Sequence, residues 1–286
     1  MTLDQGPAVE QSAHHGDAAE YFDVLIIGAG ISGIGAAYRI KEKNPGVSYA
    51  ILERRSRIGG TWDLFRYPGI RSDSDILTLS YPWEPWTRPE NVADGPDIRQ
   101  YLVDTARKHG IYDNIRFDTH VLSADWDSST DTWTVQTTED GLPRTYRSRF
   151  VFFGTGYYDY DEPYAPEFPG IENFKGEVVH PQHWPESLDY AGKRMVVIGS
   201  GATAISLIPS LTEQAEHVTM LQRTPTYLLS PAARGRAHVA VPQPDRAPHP
   251  PRIALQARQQ VVQQRLDGAD IDQRGTAPPA RGHRRQ

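Results

Sequence analysis

The sequence predicts an α/β fold in which two strand-helix-strand units follow one another, ahead of a stretch that has no means of building a core. Three observations carry this reading. Two short apolar runs, Asp23-Val-Leu-Ile-Ile27 and Met195-Val-Val-Ile198, each lead into a Gly-rich turn and then a helical stretch. Between them lie alternating segments separated by Ser, Asp and Gly, the pattern of a β-meander. After Ala232 the composition changes abruptly.

The first unit opens on the strand ending at Gly28. A helix is expected from about Ile31 to Lys43, stopping before Asn44-Pro45-Gly46, and a second apolar run, Tyr49 to Leu52, closes on Glu53. The turn between strand and helix reads Gly28-Ala-Gly30-Ile-Ser32-Gly33. Absent side chains there let the backbone approach a pyrophosphate, and the start of the helix offers free N–H donors. A Gly-rich turn alone is a common loop pattern; its weight comes from the strand before it, the helix after it and the carboxylate downstream. Glu53, twenty residues beyond Gly33, stands where a carboxylate accepts hydrogen bonds from both hydroxyls of an adenosine ribose.

A second turn of this kind, Gly199-Ser200-Gly201-Ala202-Thr203-Ala204, is followed by a helix to about Leu211 and a strand from His217 to Leu221. That strand ends at Gln222-Arg223-Thr224, so a guanidinium stands where the first unit has a carboxylate. Arginine pairs with a 2′-phosphate that an acid would repel. The second turn therefore reads as an NADPH site and the first as one for FAD or NAD. The fold class is accordingly two Rossmann-like dinucleotide-binding domains, the first with an inserted β-meander and the second partial.

Between the turns, Gly59 to Asp73 is too irregular for a helix or a strand. Its glycines, Trp62, Tyr67, Pro68 and acidic end suit a loop wrapped on a flat ring system. Ile115 to Trp126, Thr132 to Thr138 and Arg147 to Phe153 are expected as successive strands, turning at Ser128-Ser129 and Asp140-Gly141. The last runs into Gly154-Thr-Gly-Tyr157, which would return the chain to the first sheet.

Bulk properties set limits. With 38% hydrophobic and 23% charged residues in 286, the chain is of soluble, globular class. No apolar run spans a bilayer, and Met1 to Glu20 has neither the charged start nor the apolar core of a secretory signal, so a cytoplasmic location is the default. The absence of cysteine excludes a disulfide framework, a thiolate metal site and dithiol redox chemistry, and no metal is expected. Ala232 to Gln286 carries ten Arg and four Asp, so that the rest of the chain sums to about −12 against −6 overall. It holds no Phe, Trp, Tyr, Lys, Glu, Asn, Ser or Met. A disordered segment is expected there, with only a loose helical stripe from Ile253 to Leu266, and its lack of aromatics and of a folded motif argues against a nucleic-acid partner.

The segment Phe174-Lys-Gly-Glu-Val-Val-His180-Pro-Gln-His-Trp-Pro185 fits F-x-G-x-x-x-H-x-x-x-W-P, a pattern of Baeyer-Villiger monooxygenases, at every fixed position. Gly60 to Asp73 similarly resembles G-x-W-x-x-x-x-Y-P-G-x-x-x-D, the family's other signature. Trp184-Pro185 favours this branch over the related N- and S-oxygenating flavin monooxygenases. The resemblance covers about Tyr21 to Ser230 and implies FAD and NADPH as cofactors, with O2 and a small ketone or organosulfur compound as substrates. It implies insertion of one oxygen into ketones, or oxygenation of sulfur or nitrogen compounds, through a flavin peroxide. It further implies that Gly60, Thr61, Trp62, Asp63, Leu64, Tyr67 and Asp73 contact FAD and that Val121 holds the adenine through its backbone. Arg71 and Asp73 would lie beside the nicotinamide, and His180 would couple movement of the second domain to the flavin site.

The domains expected are a flexible segment 1–20, an FAD-binding domain 21–170, a linker motif with a partial NADPH-binding domain 171–231, and a low-complexity tail 232–286. The family's continuation stops after Tyr227-Leu-Leu-Ser-Pro231, as in a truncated or frameshifted product. Translation of the coding DNA in its other two frames tests that origin. The alternative function it entails is an inactive fragment that at most binds the two nucleotides. A third class, a disulfide reductase, needs a cysteine pair that the chain lacks.

Overall fold

The computed structural model describes residues 19–224 and the backbone of two short strands, Leu229–Pro231 and Ala237–Val239, which pair antiparallel. The expected flexible segment 1–20 and tail 232–286 therefore fall almost wholly outside the described residues.

The first sheet has six strands in the order β3-β2-β1-β6-β5-β4. Strand β1 (Glu20–Ile27) lies between β2 (Tyr49–Leu52) and β6 (Leu142–Phe153), parallel to both, and β3 (Ile115–Arg116) extends the parallel part beyond β2. Strands β4 (Thr119–Asp127) and β5 (Thr132–Glu139) are antiparallel and hang on the first half of β6. Alternation along β1 sorts its side chains onto two faces. Ile26 joins Ile51, Ile34 and Ala37 of α1 (Ile31–Lys43), and Leu102 and Ala106 of α4 (Gly95–Lys108) in one core cluster. Leu25 and Ile27 join Ala50, Leu52, Val135 and Tyr146, so the meander covers the other face.

The expected helix Ile31 to Lys43, strand Tyr49 to Leu52 and strand His217 to Leu221 are observed with those bounds. Three local readings are corrected. The stretch Ile115 to Trp126 is two strands, because Asp118 adopts φ +52° and turns the chain after a two-residue β3. Gly59 to Asp73 is not wholly irregular: it contains a one-turn helix, α2 (Thr61–Leu64), and a second such turn, α3 (Ile76–Leu79), follows it. Helix α4 was not expected. Its buried Ile98, Leu102 and Ala106 recur every four residues, and Pro96 sits in its first turn where no N–H is needed.

The second sheet is the parallel pair β7 (Arg194–Ile198) and β8 (His217–Leu221), joined through α5 (Ala202–Leu211). Its core unites Leu207, Leu211 and Val218 with Leu64, Phe65 and Tyr67 from the loop after β2. Val196, Ile198 and Leu221 are exposed on the opposite face. No helix among the described residues is long and apolar enough to cross a membrane.

Candidate nucleotide-binding site

The first Gly-rich turn is closed by backbone hydrogen bonds: the Gly28 N–H donates to Leu52 O (2.8 Å) and the Gly154 N–H to Ile27 O (2.9 Å). Gly154 thus brings β6 back to the turn, as its position after that strand predicts. Gly28 has φ +100°, and a Cβ there would stand 2.7 Å from Gly154 O. A Cβ on Gly33 would stand 1.9 Å from Gly28 O, so the missing side chain is what lets α1 sit on β1. Gly30 differs: the nearest atom to its Cβ position is Gly60 Cα at 3.6 Å, leaving a cradle rather than a packed contact. Helix α1 starts with no capping side chain and no acidic residue in its first turn. Its leading N–H groups and positive dipole end are open to an anion, with Ser32 exposed beside them.

Glu53 is only 3% exposed at the end of β2. Its Oε2 accepts from the Ala29 N–H (2.7 Å) and its Oε1 from the Arg55 N–H (2.8 Å), tying the turn to the strand end while each oxygen keeps a lone pair for a further donor. Burial pushes this carboxyl above the ordinary glutamate range, although the two N–H donors and the Arg55 charge pull it back. A buried acceptor-only group beside this glycine turn has the chemistry to accept from a pair of hydroxyls. Glu53→Gln should weaken FAD binding about tenfold or more, since a charge-assisted acceptor is lost and an amide NH2 must face a backbone N–H. Because the carboxyl is raised, the native chain should begin to lose FAD affinity on acidification at a higher pH than an ordinary glutamate would dictate. The Gln variant should lack that dependence. Titration of flavin fluorescence against pH measures both, and equal affinities at neutral pH would remove Glu53 from the site.

Gly59 and Gly60 abut this turn, a Cβ on Gly60 lying 3.1 Å from Gly30 Cα. Behind them Asp63, with its side chain 1% exposed, is surrounded by Arg55 (2.8 Å), Arg57 (3.2 Å), Arg66 (3.2 Å) and Arg99 (2.9 Å). Arg99 Nε makes a charge contact without directing its N–H at the carboxylate. Thr61 and Trp62 are half-buried, and Trp62 packs against two core clusters. Leu64 and Tyr67 are buried in the core of the second sheet. Arg71 and Asp73 are exposed further along the loop, where the backbone of Arg71 forms an isolated antiparallel β-bridge with that of Asp94. Val121 is half-buried on β4, which enters beside Glu53 through the Thr119 N–H to Glu53 O bond (2.9 Å). His180 caps a short 3-10 turn, its Nδ1 accepting from the Gln182 N–H (3.2 Å). Gln182 donates to Asp159 O and the His183 ring contacts Tyr160 O, which pins this motif to the segment leaving the first sheet.

At the second turn the Gly199 N–H donates to Leu221 O (2.8 Å) and Ser200 Oγ to Thr224 O (3.1 Å). Helix α5 starts at Ala202 with no capping side chain and no acid in its first turn, and a Cβ on Gly199 or Gly201 would meet nothing within 4 Å. Thr203 is half-buried and Ala204 buried, while Arg223 and Thr224 are exposed at the end of β8.

Two groups escaped the sequence reading. Tyr160 places its hydroxyl 4.0 Å from the Cβ position of Gly60 and its ring under the Arg55 guanidinium (5.8 Å). Its phenol is raised by burial and by the charges of Glu53 and Asp63. The aromatic run Tyr157-Tyr158-Asp-Tyr160 after two glycines was the signal for it. The four-arginine cluster had no complete signal, because Arg99 arrives from α4, a helix the pattern had not disclosed, to join Arg55, Arg57 and Arg66, which are near Asp63 in the chain.

A model of the pyridine nucleotide-disulphide oxidoreductase family matches residues 25–245. The chain belongs to that family. Its members here are flavin monooxygenases: the FAD-containing monooxygenase EthA of Mycolicibacterium smegmatis is 55% identical over 210 residues, which is 73% of this chain and 43% of the relative. Among solved structures, an oxidized steroid monooxygenase bound to NADP superposes with TM-score 0.64 at 34% identity, covering 74% of this chain and 40% of that one. Cyclohexanone monooxygenase from Rhodococcus sp. Phi1 bound to NADP+ gives 0.64 at 30% identity, covering 73% and 39%. The resemblance to Baeyer-Villiger monooxygenases is thereby borne out, and the two-unit α/β fold with it. The chain spans somewhat under half the length of these relatives. The disulphide in the family name is not chemistry these residues perform, since the chain has no cysteine.

Proposed function

We propose that the first unit holds FAD, that the second holds NADPH, and that the protein transfers one atom of O2 to a small ketone or to a sulfur or nitrogen compound, working in the cytoplasm. The observation that carries this is the pairing of opposite charges at equivalent strand ends: Glu53 after β2 and Arg223 after β8, each beyond an uncapped, Gly-led helix. FAD and NADPH, when bound, supply the reducing equivalents and the site of oxygen activation. The chain's own residues bind and orient. Gly28, Gly30, Ser32 and Gly33 receive the pyrophosphate of FAD, Glu53 its ribose, and the Gly60 to Leu64 turn, with Val121, flanks the remainder. Gly199 to Ala204 receive the pyrophosphate of NADPH, and Arg223 with Thr224 its 2′-phosphate. Arg71 and Asp73 attend the nicotinamide, and His180 holds the connection between a first domain of about 21–170 and a second of about 171–231.

Binding without turnover is the second reading, since the roles assigned above to this chain's residues are those of binding and orienting the two nucleotides. Purified protein that carries the yellow absorbance of flavin, consumes NADPH with a cyclic ketone and forms an ester or lactone supports the full proposal. Flavin without product supports the second reading, and protein that binds neither nucleotide rejects both. Arg223→Ala should weaken NADP+ binding about tenfold or more while leaving NAD+ binding nearly unchanged, because only the former carries the phosphate the guanidinium would pair with. Equal losses for the two would place Arg223 elsewhere.

A further inference from the structure

We propose that the Tyr67-Pro68-Gly69 turn is the docking point for the helix of the second nucleotide loop, and that Tyr67 is a positioning residue for that loop. This rests on the assignment of NADPH to Gly199 to Ala204.

The Tyr67 hydroxyl lies 3.0 Å from Ser206 Oγ, and the two residues are 4% and 3% exposed. Ser206 has one proton, and its Oγ already reaches the Ala202 (2.9 Å) and Thr203 (3.2 Å) carbonyls of its own helix. The proton in the contact therefore comes from Tyr67, and the bond has a fixed direction. Two residues on, Gly69 (φ +78°) presses on the same helix: a Cβ there would lie 2.3 Å from Ser210 Oγ and 2.5 Å from Ser206 O. The turn thus meets α5 through a hydrogen bond at one end and a bare backbone contact at the other. Between them runs a cleft of about 320 Å³ lined by Gly69, Arg71, Asp94, Ser206 and Ser210 among others.

Helix α5 needs such support. It has ten residues, and Pro209 inside it leaves the Ile205 carbonyl without its helical donor. Its direction is set by packing, and Leu207 and Leu211 pack on Leu64, Phe65 and Tyr67. Ser206 lies one turn from Ala202 and Thr203, where the free N–H groups of the loop stand. A rotation of α5 released by loss of the Tyr67 bond would swing those donors first. Burial raises the Tyr67 phenol, which remains a donor throughout the neutral range.

The test is a double-mutant cycle of Tyr67→Phe and Ser206→Ala in the full chain, read by NADP+ titration and by amide hydrogen exchange of residues 203–207, with β1 and α1 as the reference. Each single variant should weaken NADP+ binding about five- to tenfold and speed exchange in the first turns of α5, while exchange in β1 and α1 stays as in the parent. The double variant should be no worse than the worse single, because both remove the same Tyr67–Ser206 bond. Independent, multiplying losses would overturn the proposal, and so would a parallel loss of protection in β1 and α1, which marks general destabilisation. If the unaltered chain binds no NADP+, the NADPH assignment fails, and the exchange data decide the docking alone: unchanged protection of α5 in Tyr67→Phe overturns it.

Discussion

Replacing Gly33 with alanine should strip the chain of FAD and cost about 3 kcal/mol of stability, the upper range for forcing one methyl into a packed site. The new Cβ would stand 1.9 Å from Gly28 O and 3.0 Å from Gly28 C. Neither neighbour can retreat, because Gly28 is held by Leu52 on one side and faces Gly154 on the other. Helix α1 must lift, and lifting it parts Ile34 and Ala37 from Ile26 and Ile51. Gly30→Ala is the matched control. Its nearest neighbour is at 3.6 Å, so stability should be nearly unchanged while the methyl fills the cradle and FAD is still lost. Denaturant midpoints and flavin content of the two variants separate packing from ligand contact. A Gly33→Ala protein as stable as the parent would show that the turn is looser than described.

Asp63→Asn should destabilise the chain by about 3 kcal/mol, the lower range for removing one partner from a buried charge cluster. Four guanidiniums converge on this one carboxylate, and they are themselves 26–45% exposed, which lets water take up part of the loss. The remainder is repulsion between cations near the first turn. Two signs identify that cause. Added salt should restore part of the melting temperature, because the repulsion is screened, and Arg99→Gln should partly rescue Asp63→Asn although it weakens the parent. A melting temperature of the Asn variant that ignores ionic strength would point instead to lost packing.

What could be read in the sequence was what local chemistry determines. Helix α1 is bounded by Gly30 and Asn44-Pro45-Gly46, and β2 by Gly46 and Glu53, so their limits were visible from neighbours alone. The equivalence of Glu53 and Arg223 was legible for the same reason, as each ends a strand twenty or so residues past a Gly-rich turn. Helix α4 escaped because Tyr101 and Thr105 interrupt its apolar stripe with polar atoms that find partners on folding, the Thr105 hydroxyl at Tyr101 O within the helix and the Tyr101 hydroxyl at Glu84 O outside it. The break at Asp118 escaped because an aspartate at positive φ leaves no mark in a run of alternating residues. Arg99 on Asp63 and Ser206 on Tyr67 come from 36 and 139 positions away, distances at which spacing carries no information.

The shared core of Leu64, Phe65 and Tyr67 with Leu207, Leu211 and Val218 also sets an order of events during synthesis. The loop emerges from the ribosome well over a hundred residues before the helix that covers it, so its apolar side chains wait in water for several seconds at ordinary elongation rates. The first sheet is complete once β6 has emerged, and it presents that loop as a prepared surface. The second unit then condenses on a template instead of nucleating by itself, and a ribosome stalled between the two would display Leu64 and Phe65 to chaperones.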